Sequence, residues 1–140
     1  MIRNSKKEDI INIMDIWIRS NINAHNFINS TYFYDNFEFV KESIQKSEVY
    51  VYEIKDNVVG FIGLEEGFIQ GIFVDEKYRS KGIGKKLITF CKGKYDRLSL
   101  NVYCKNKRAI QFYKREGFKI YKKMLEKENN EYEYVMKWQR

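Results

Sequence analysis

Tyr-Arg-Ser-Lys-Gly-Ile-Gly, residues 78–84, is the stretch that decides the fold of this 140-residue chain. It follows an apolar run at residues 68–74 that is typical of a buried strand, and it opens an amphipathic helix. Gly82 and Gly84 permit a tight turn and a close approach of a ligand to the backbone. Free N–H groups at a helix start favour an anion, and four basic residues lie between positions 79 and 86. The segment therefore predicts a pyrophosphate site.

Two common nucleotide-binding motifs do not fit this segment. A Walker loop requires Gly-Lys-Ser/Thr, whereas Gly84-Lys85 is followed by Lys86. A Rossmann fingerprint requires three spaced glycines early in a βαβ unit, whereas two occur here, in mid-chain.

The segment resembles motif A of the GCN5-related N-acetyltransferase (GNAT) family, Arg/Gln-x-x-Gly-x-Gly/Ala, which lies between a strand and a helix. Arg79, Gly82 and Gly84 match its fixed positions. Residues 101–118 resemble motif B of the same family, Asn-x-x-Ala-x-x-Phe-Tyr-x-x-x-Gly-Phe. The residues that match motif B are Asn106, Ala109, Phe112, Tyr113, Gly117 and Phe118.

The remaining elements follow from periodicity and turn residues. Hydrophobic alternation predicts a hairpin at 49–54 and 58–64, a strand at 97–103 and a closing pair at 118–121 and 132–138. Ser5-Lys6-Lys7-Glu8 reads as a capping box that starts the first helix. The order β-α-α-β-β-β-α-β-α-β-β agrees with the α/β (α+β) GNAT fold. That fold is a mixed, mostly antiparallel sheet with one splayed strand pair and helices on both faces.

Composition sets the class of protein. With 44% hydrophobic and 32% charged residues, the chain is expected to form a single domain over residues 1–140. Neither an apolar signal segment nor a stretch of transmembrane length is present. Cys91 and Cys104 have no metal-binding or redox spacing. These features favour a cytoplasmic protein without a disulfide framework. They do not distinguish a monomer from a homodimer, which are the two expected states.

The net charge of +7 admits two kinds of partner. A basic patch can bind nucleic acid, but seven lysines and arginines between residues 77 and 94 surround the predicted pyrophosphate loop. The motif favours a poly-anionic cofactor, so neither nucleic acid nor a membrane is the expected partner. The resemblance implies acetyl-CoA as cosubstrate and no metal. The residues that it implies for cofactor binding are Ile72, Phe73, Val74, Arg79, Ser80, Lys81, Gly82, Ile83, Gly84, Lys85, Asn106 and Tyr113.

The resemblance also implies the chemistry, which is attack of a neutral amine on a thioester. Tyr113 is the candidate general acid for the departing thiolate, and its alternative is a packed aromatic. The candidate general base is Glu66, with Glu65 beside it, and either could instead be an ordinary surface carboxylate. His25 is a further candidate, and in the family ordered water can replace a dedicated base. Direct transfer in a ternary complex is favoured over an acyl-cysteine, because Cys104 has no histidine near it in sequence.

Scattered residues of the N-terminal third resemble the YiaC/YjaB-like branch of bacterial GNAT proteins, which is linked to protein lysine acetylation. They are Trp17, Ser20, His25, Phe27, Ile28 and Tyr32. This favours a protein lysine or N-terminal amine as acceptor; a polyamine or aminoglycoside, or a non-catalytic CoA-sensing module, stays open. The expected acceptor-side residues are His25, Phe27, Tyr32 and Phe68, each of which could equally be structural.

Overall fold

The computed structural model describes residues 1–140 and contains a seven-stranded sheet with five α-helices. The strands are β1 (Ile2–Asn4), β2 (Glu48–Ile54), β3 (Asn57–Glu65), β4 (Phe68–Val74), β5 (Arg97–Tyr103), β6 (Lys119–Glu126) and β7 (Glu131–Gln139). The helices are α1 (Ile10–Ala24), α2 (Thr31–Asp35), α3 (Phe37–Lys46), α4 (Ile83–Lys92) and α5 (Lys107–Arg115).

The sheet has the strand order β1-β2-β3-β4-β5-β7-β6, and β4–β5 is its one parallel pair. These two strands pair only at Phe68↔Ser99 and Ile69↔Leu100 and then part. The register between β3 and β4 shifts at this point and leaves Gln70 without a partner in β3, which is a β-bulge. A bulge bends its strand and increases the local twist, so it accounts for the parting. The predicted GNAT fold class and its splayed strand pair are confirmed.

The two faces of the sheet carry separate hydrophobic cores. Helices α4 and α5 cover one face, where Leu87 and Ile110 pack with Leu98, Leu100 and other β-strand residues. The first three helices cover the opposite face, where α1 contributes its apolar stripe. Because side chains alternate along a strand, β5 contributes residues such as Leu98 and Leu100 to the first core, whereas Tyr103 packs against the second. The sheet is therefore covered on both sides, and the gap between β4 and β5 connects them.

The first helix begins differently from the prediction. Ser5 is still extended and donates its N–H to the carbonyl oxygen of Val49 at 3.0 Å. A short 3-10 turn, Lys7–Asp9, precedes α1, and the Asp9 carboxylate accepts the Lys6 N–H at 2.6 Å. The predicted Ser5–Glu8 capping box is therefore wrong, because Asp9 performs the capping while it also pairs with Arg3 at 2.8 Å.

Other element boundaries differ in length. The Asn-rich and aromatic sequence of residues 20–34 favours a loop or irregular helix, but helix α1 continues to Ala24 and the short α2 follows. Strands β6 and β7 extend beyond the predicted closing pair and form a long hairpin. This extension matters for the site, because it carries β7 along the full length of β5.

Candidate active site

A cleft of about 990 Å³ opens where β4 and β5 part. Its walls are the two strands, the loop before α4, the start of α5 and the C-terminal end of α1. Of the residues predicted to bind the cofactor, all but Lys81 line this cleft: Ile72, Phe73, Val74, Arg79, Ser80, Gly82, Ile83, Gly84, Lys85, Asn106 and Tyr113.

The loop before α4 presents a row of backbone donors. Gly82 has φ +78°, and Ser80 has φ +65°. The first helical hydrogen bond runs from the N–H of Lys86 to the carbonyl of Gly82 at 3.0 Å. The N–H groups of residues 80–85 make no hydrogen bond within the protein. Successive free N–H groups at a helix start bind phosphate oxygens, so this loop fits the pyrophosphate of a CoA molecule.

The backbone of β4 also has free groups in the gap. The N–H of Asp75 donates to the carbonyl oxygen of Val59 at 2.7 Å. This bond determines which residues of β4 direct their backbone groups toward β3. By the alternation of antiparallel pairs, Gly71 and Phe73 direct their N–H and C=O groups toward β3. Ile72 and Val74 therefore direct theirs into the gap, where an amide-containing arm can pair with them. The N–H of Ile72 therefore lies on the side where it can meet a thioester oxygen.

Tyr113 lies on α5 with a buried ring and a free hydroxyl. The ring packs edge-on against Phe112 at 5.4 Å and Phe118 at 5.8 Å between centroids. The hydroxyl makes no hydrogen bond within the protein, although the residue lines the cleft. Burial raises the pKa of Tyr113 well above its usual value of 10. The phenol is therefore protonated at neutral pH, and its unpartnered hydroxyl is free to donate to a thiolate that forms in the cleft.

Asn106 connects the two sides of the cleft. Its Oδ1 accepts the N–H of Ala109 at 3.3 Å and caps α5. Its Nδ2 lies 3.2 Å from His25 Nε2 at the end of α1. Because Asn106 Nδ2 can only donate, His25 Nε2 is the acceptor and Nδ1 carries the proton. His25 Nδ1 is buried without a partner, and burial lowers the pKa of this histidine.

Glu66 and Phe68 lie away from the cleft. Glu66 is exposed in the β3–β4 turn with φ +50°, beyond the end where β4 and β5 are paired. At about 3.3 Å per strand residue, it lies roughly 20 Å along the chain from Ile72. Phe68 takes part in one of the two β4–β5 residue pairs and does not line the cleft. The structure thus places the predicted base Glu66 at the closed end of the sheet.

Phe27, Tyr32 and Lys81 are likewise not among the cleft-lining residues. Phe27 packs against the outer side of His25 at 5.6 Å and Tyr103 at 5.6 Å, and so forms a second layer. Tyr32 packs on Phe33 at 5.3 Å. Lys81 is exposed, with its ammonium 5.6 Å from the Tyr78 ring. Of the predicted acceptor-side residues, His25 alone lines the cleft.

Sequence reasoning missed the cleft residues Asn101, Tyr103 and Glu133. Glu133 is the cross-strand partner of Tyr103. Burial, followed by the charge of Glu126, raises the pKa of the Glu133 carboxyl. The alternation of side chains along β7 predicts that Glu133 lies on the face away from the apolar Tyr134 and Met136. The pairing of β7 with β5, which the sequence does not reveal, brings Glu133 to the cleft.

The family model for the "Acetyltransferase (GNAT) domain" matches residues 45–120. The chain belongs to the GNAT acetyltransferase family. It is 31% identical over 140 residues to the peptidyl-lysine N-acetyltransferase YiaC of Escherichia coli K12, covering 99% of this chain and 96% of that protein. It is also 32% identical over 120 residues to the peptidyl-lysine N-acetyltransferase YjaB of Salmonella typhimurium, covering 85% of this chain and 83% of that protein. The predicted resemblance to the YiaC/YjaB-like branch is confirmed.

Solved structures of GNAT proteins share the fold. The solution structure of apo YjaB from Escherichia coli superposes with a TM-score of 0.88 at 25% identity, covering 99% of this chain and 96% of that one. The PaiA N-acetyltransferase of Thermoplasma acidophilum, solved in complex with coenzyme A, has a TM-score of 0.82 at 17% identity, covering 100% and 98%. None of the helices of this GNAT protein combines the length and the apolar character needed to cross a bilayer.

Proposed function

We propose that the protein transfers an acetyl group from acetyl-CoA to a lysine side chain of a protein acceptor, by direct attack within a ternary complex in the cytoplasm. The observation that carries this proposal is the cleft itself. It joins a loop with free backbone donors to an open gap in the sheet that reaches both faces. The names of YiaC and YjaB as peptidyl-lysine N-acetyltransferases support a lysine acceptor.

Each part of the cleft has a task in this reaction. Acetyl-CoA supplies an activated thioester. The N–H groups of residues 80–85 hold its pyrophosphate, aided by Arg79 and Lys85, and the open backbone groups of Ile72 and Val74 hold the pantetheine amides. The N–H of Ile72 then stabilises charge on the carbonyl oxygen during attack. Tyr113 donates a proton to the sulfur as the C–S bond breaks.

The two cysteines favour direct attack over an acyl-enzyme. Cys91 is fully buried, and burial raises the pKa of its thiol to about 12, so it is not a nucleophile at neutral pH. Cys104 is half-buried at the end of β5. The one histidine that could activate it has its Nε2 bound to Asn106. A thiol without an activating base reacts slowly with a thioester.

The test is CoA release by the purified protein with acetyl-CoA and a panel of acceptors: lysine peptides, peptides with only a free N-terminus, polyamines and aminoglycosides. Mass spectrometry locates the acetyl group. We expect turnover on lysine peptides. Turnover confined to polyamines or aminoglycosides would overturn the acceptor, and binding of acetyl-CoA without turnover on any amine would favour a CoA-sensing module.

The Tyr113→Phe variant tests the general acid. Its hydroxyl has no partner, so the substitution leaves the packing with Phe112 and Phe118 intact. We expect kcat to fall about 10²-fold or more with little change in acetyl-CoA affinity, the usual range for one proton donor. The control is Tyr121→Phe, which changes an exposed tyrosine on β6. Equal rates for the two variants would restrict Tyr113 to a packing role.

A further inference from the structure

The acceptor end of the cleft contains one carboxylate. Two acidic residues line the whole cleft, Glu116 and Glu133. Glu116 follows α5, at the end where Phe112 approaches Gly84 in the pyrophosphate loop. Glu133 lies at the other end, level with Tyr103. A cationic amine that enters opposite the phosphate loop therefore meets Glu133.

Glu133 and Tyr113 lie on opposite faces of the sheet. Tyr113 belongs to the core under α4 and α5. Tyr103 points to the other face, where it packs with the core under α1. Directly opposed residues of an antiparallel pair share a face, so Glu133 is on the same side as Tyr103. An amine beside Glu133 thus reaches the gap from the side opposite to the proposed proton donor, so the acceptor and Tyr113 do not compete for the same space.

The Glu133 carboxylate has no partner of its own. Its neighbours are satisfied, because Glu126 accepts from Tyr103 at 2.7 Å and Glu131 pairs with Lys105 at 3.1 Å. Glu133 makes no hydrogen bond or ion pair, although it is half-buried. An unpaired, partly desolvated carboxylate lowers stability, so its presence at a cleft indicates a functional use.

The groups around Glu133 strengthen this assignment. Tyr103 faces it from β5, Glu126 from β6 and Tyr32 from α2. The pKa of Tyr32 is raised mainly by burial and in smaller part by nearby carboxylates that include Glu133. Lys105 is the nearby cation, and it is already paired with Glu131. Apart from Lys105, these neighbours are neutral or negative, so they attract an ammonium group. Burial, followed by the charge of Glu126, raises the pKa of Glu133.

We propose that Glu133 binds the acceptor lysine ammonium and acts as its general base, directly or through one water molecule. This rests on the proposed function. The ammonium transfers one proton to the carboxylate, and its nitrogen lone pair forms the C–N bond to the thioester carbon. The C–S electron pair leaves on sulfur, which receives the proton of Tyr113. The nitrogen then loses its second proton to water, Tyr113 regains one from water, and Glu133 releases its own to solvent.

The decisive variant is Glu133→Gln, with Glu116→Gln as a matched control that removes the other cleft carboxylate. With acetyl-CoA and a lysine peptide at about pH 7, we expect Glu133→Gln to lower kcat/KM about 10²-fold while the KM for acetyl-CoA stays within about twofold. The deficit should shrink as pH approaches the lysine pKa of about 10.4, because solution then supplies the neutral amine. A loss below about threefold at every pH, or an equal loss in Glu116→Gln, would overturn the assignment.

An equilibrium measurement separates this proposal from the proposed function. Calorimetry with n-butylammonium, a mimic of the lysine side chain, is run on the CoA complex of each variant. We expect Glu133→Gln to weaken binding about tenfold or more and Glu116→Gln to leave it unchanged, as loss of one charge-assisted contact predicts. Equal binding by wild type and Glu133→Gln would refute the Glu133 site. A wild type that binds the amine but acetylates no peptide would instead refute the proposed function.

Discussion

The hydrogen bond between Asn106 and His25 gives a stability prediction that can be worked out from the structure. Asn106→Ala removes the cap of α5, which costs about 1 kcal/mol. It also leaves His25 Nε2 without a donor in a residue that is 9% exposed, which adds about 1–3 kcal/mol. The free energy of unfolding should therefore fall by about 2–4 kcal/mol, or roughly 8–16 °C in Tm for a chain of this size. Urea unfolding without cofactor measures it.

Two controls separate the cap from the link to His25. Asn106→Asp keeps a capping oxygen and offers a second oxygen to His25 after a change of tautomer, so its loss should stay below about 1 kcal/mol. In a His25→Phe background, Asn106→Ala should lower the free energy of unfolding only by the contribution of the helix cap. The coupling energy between the two positions should then be about 1–3 kcal/mol. A coupling below about 0.5 kcal/mol would refute the reasoning, because it would show that the contact contributes nothing beyond the cap.

Two further predictions concern the loop and pH. Gly82→Ala should lower the free energy of unfolding by about 1–2 kcal/mol, because φ is +78° there although a Cβ meets no atom within 4 Å, and it should raise the KM for acetyl-CoA. Asparagine tolerates this conformation, so Gly82→Asn should retain more stability and more acetyl-CoA binding. Identical values for the two variants would contradict this prediction. Burial lowers the pKa of His25, so the stability that it contributes is present above about pH 6.5 and is lost as pH falls through 6.5 toward the folded pKa. Urea titrations from about pH 8 to 5.5 should show this decline in wild type and a flatter profile in His25→Phe.

The sequence was sufficient for the parts of this protein that depend on local patterns. The glycines at 82 and 84 and the cap at Asn106 are written in short motifs, and the structure has the helices that they predict. The capping box at Ser5 was wrong because Asp9 caps this helix start instead. Asp9 pairs with Arg3, and Arg3 also pairs with Glu53 from a distant strand. A local sequence pattern cannot predict an ion pair between residues so far apart along the chain.

The acceptor side was the least predictable region. Glu66 is close in sequence to the splayed strand, but β4 carries it to the closed end. Glu133 is distant in sequence from both motifs, and the pairing of β7 with β5 brings it beside Tyr103. The predicted base Glu66 therefore lies outside the cleft, whereas the carboxylate that does line the cleft, Glu133, is brought there by the strand order.

The parting of β4 and β5 has a consequence for cohesion. The sheet consists of two parts, β1 to β4 on one side and β5, β7 and β6 on the other. Only two residue pairs of β4 and β5 join these parts, and we call this weak junction the seam. A ligand that forms hydrogen bonds on both sides of this seam replaces backbone hydrogen bonds that β4 and β5 do not make with each other. At a concentration 100 times its Kd, such a ligand stabilises the folded state by about 2.7 kcal/mol. The resistance of this protein to unfolding and proteolysis should therefore increase with the concentration of acetyl-CoA. The largest decrease in amide hydrogen exchange is expected for β4 and β5 along the seam.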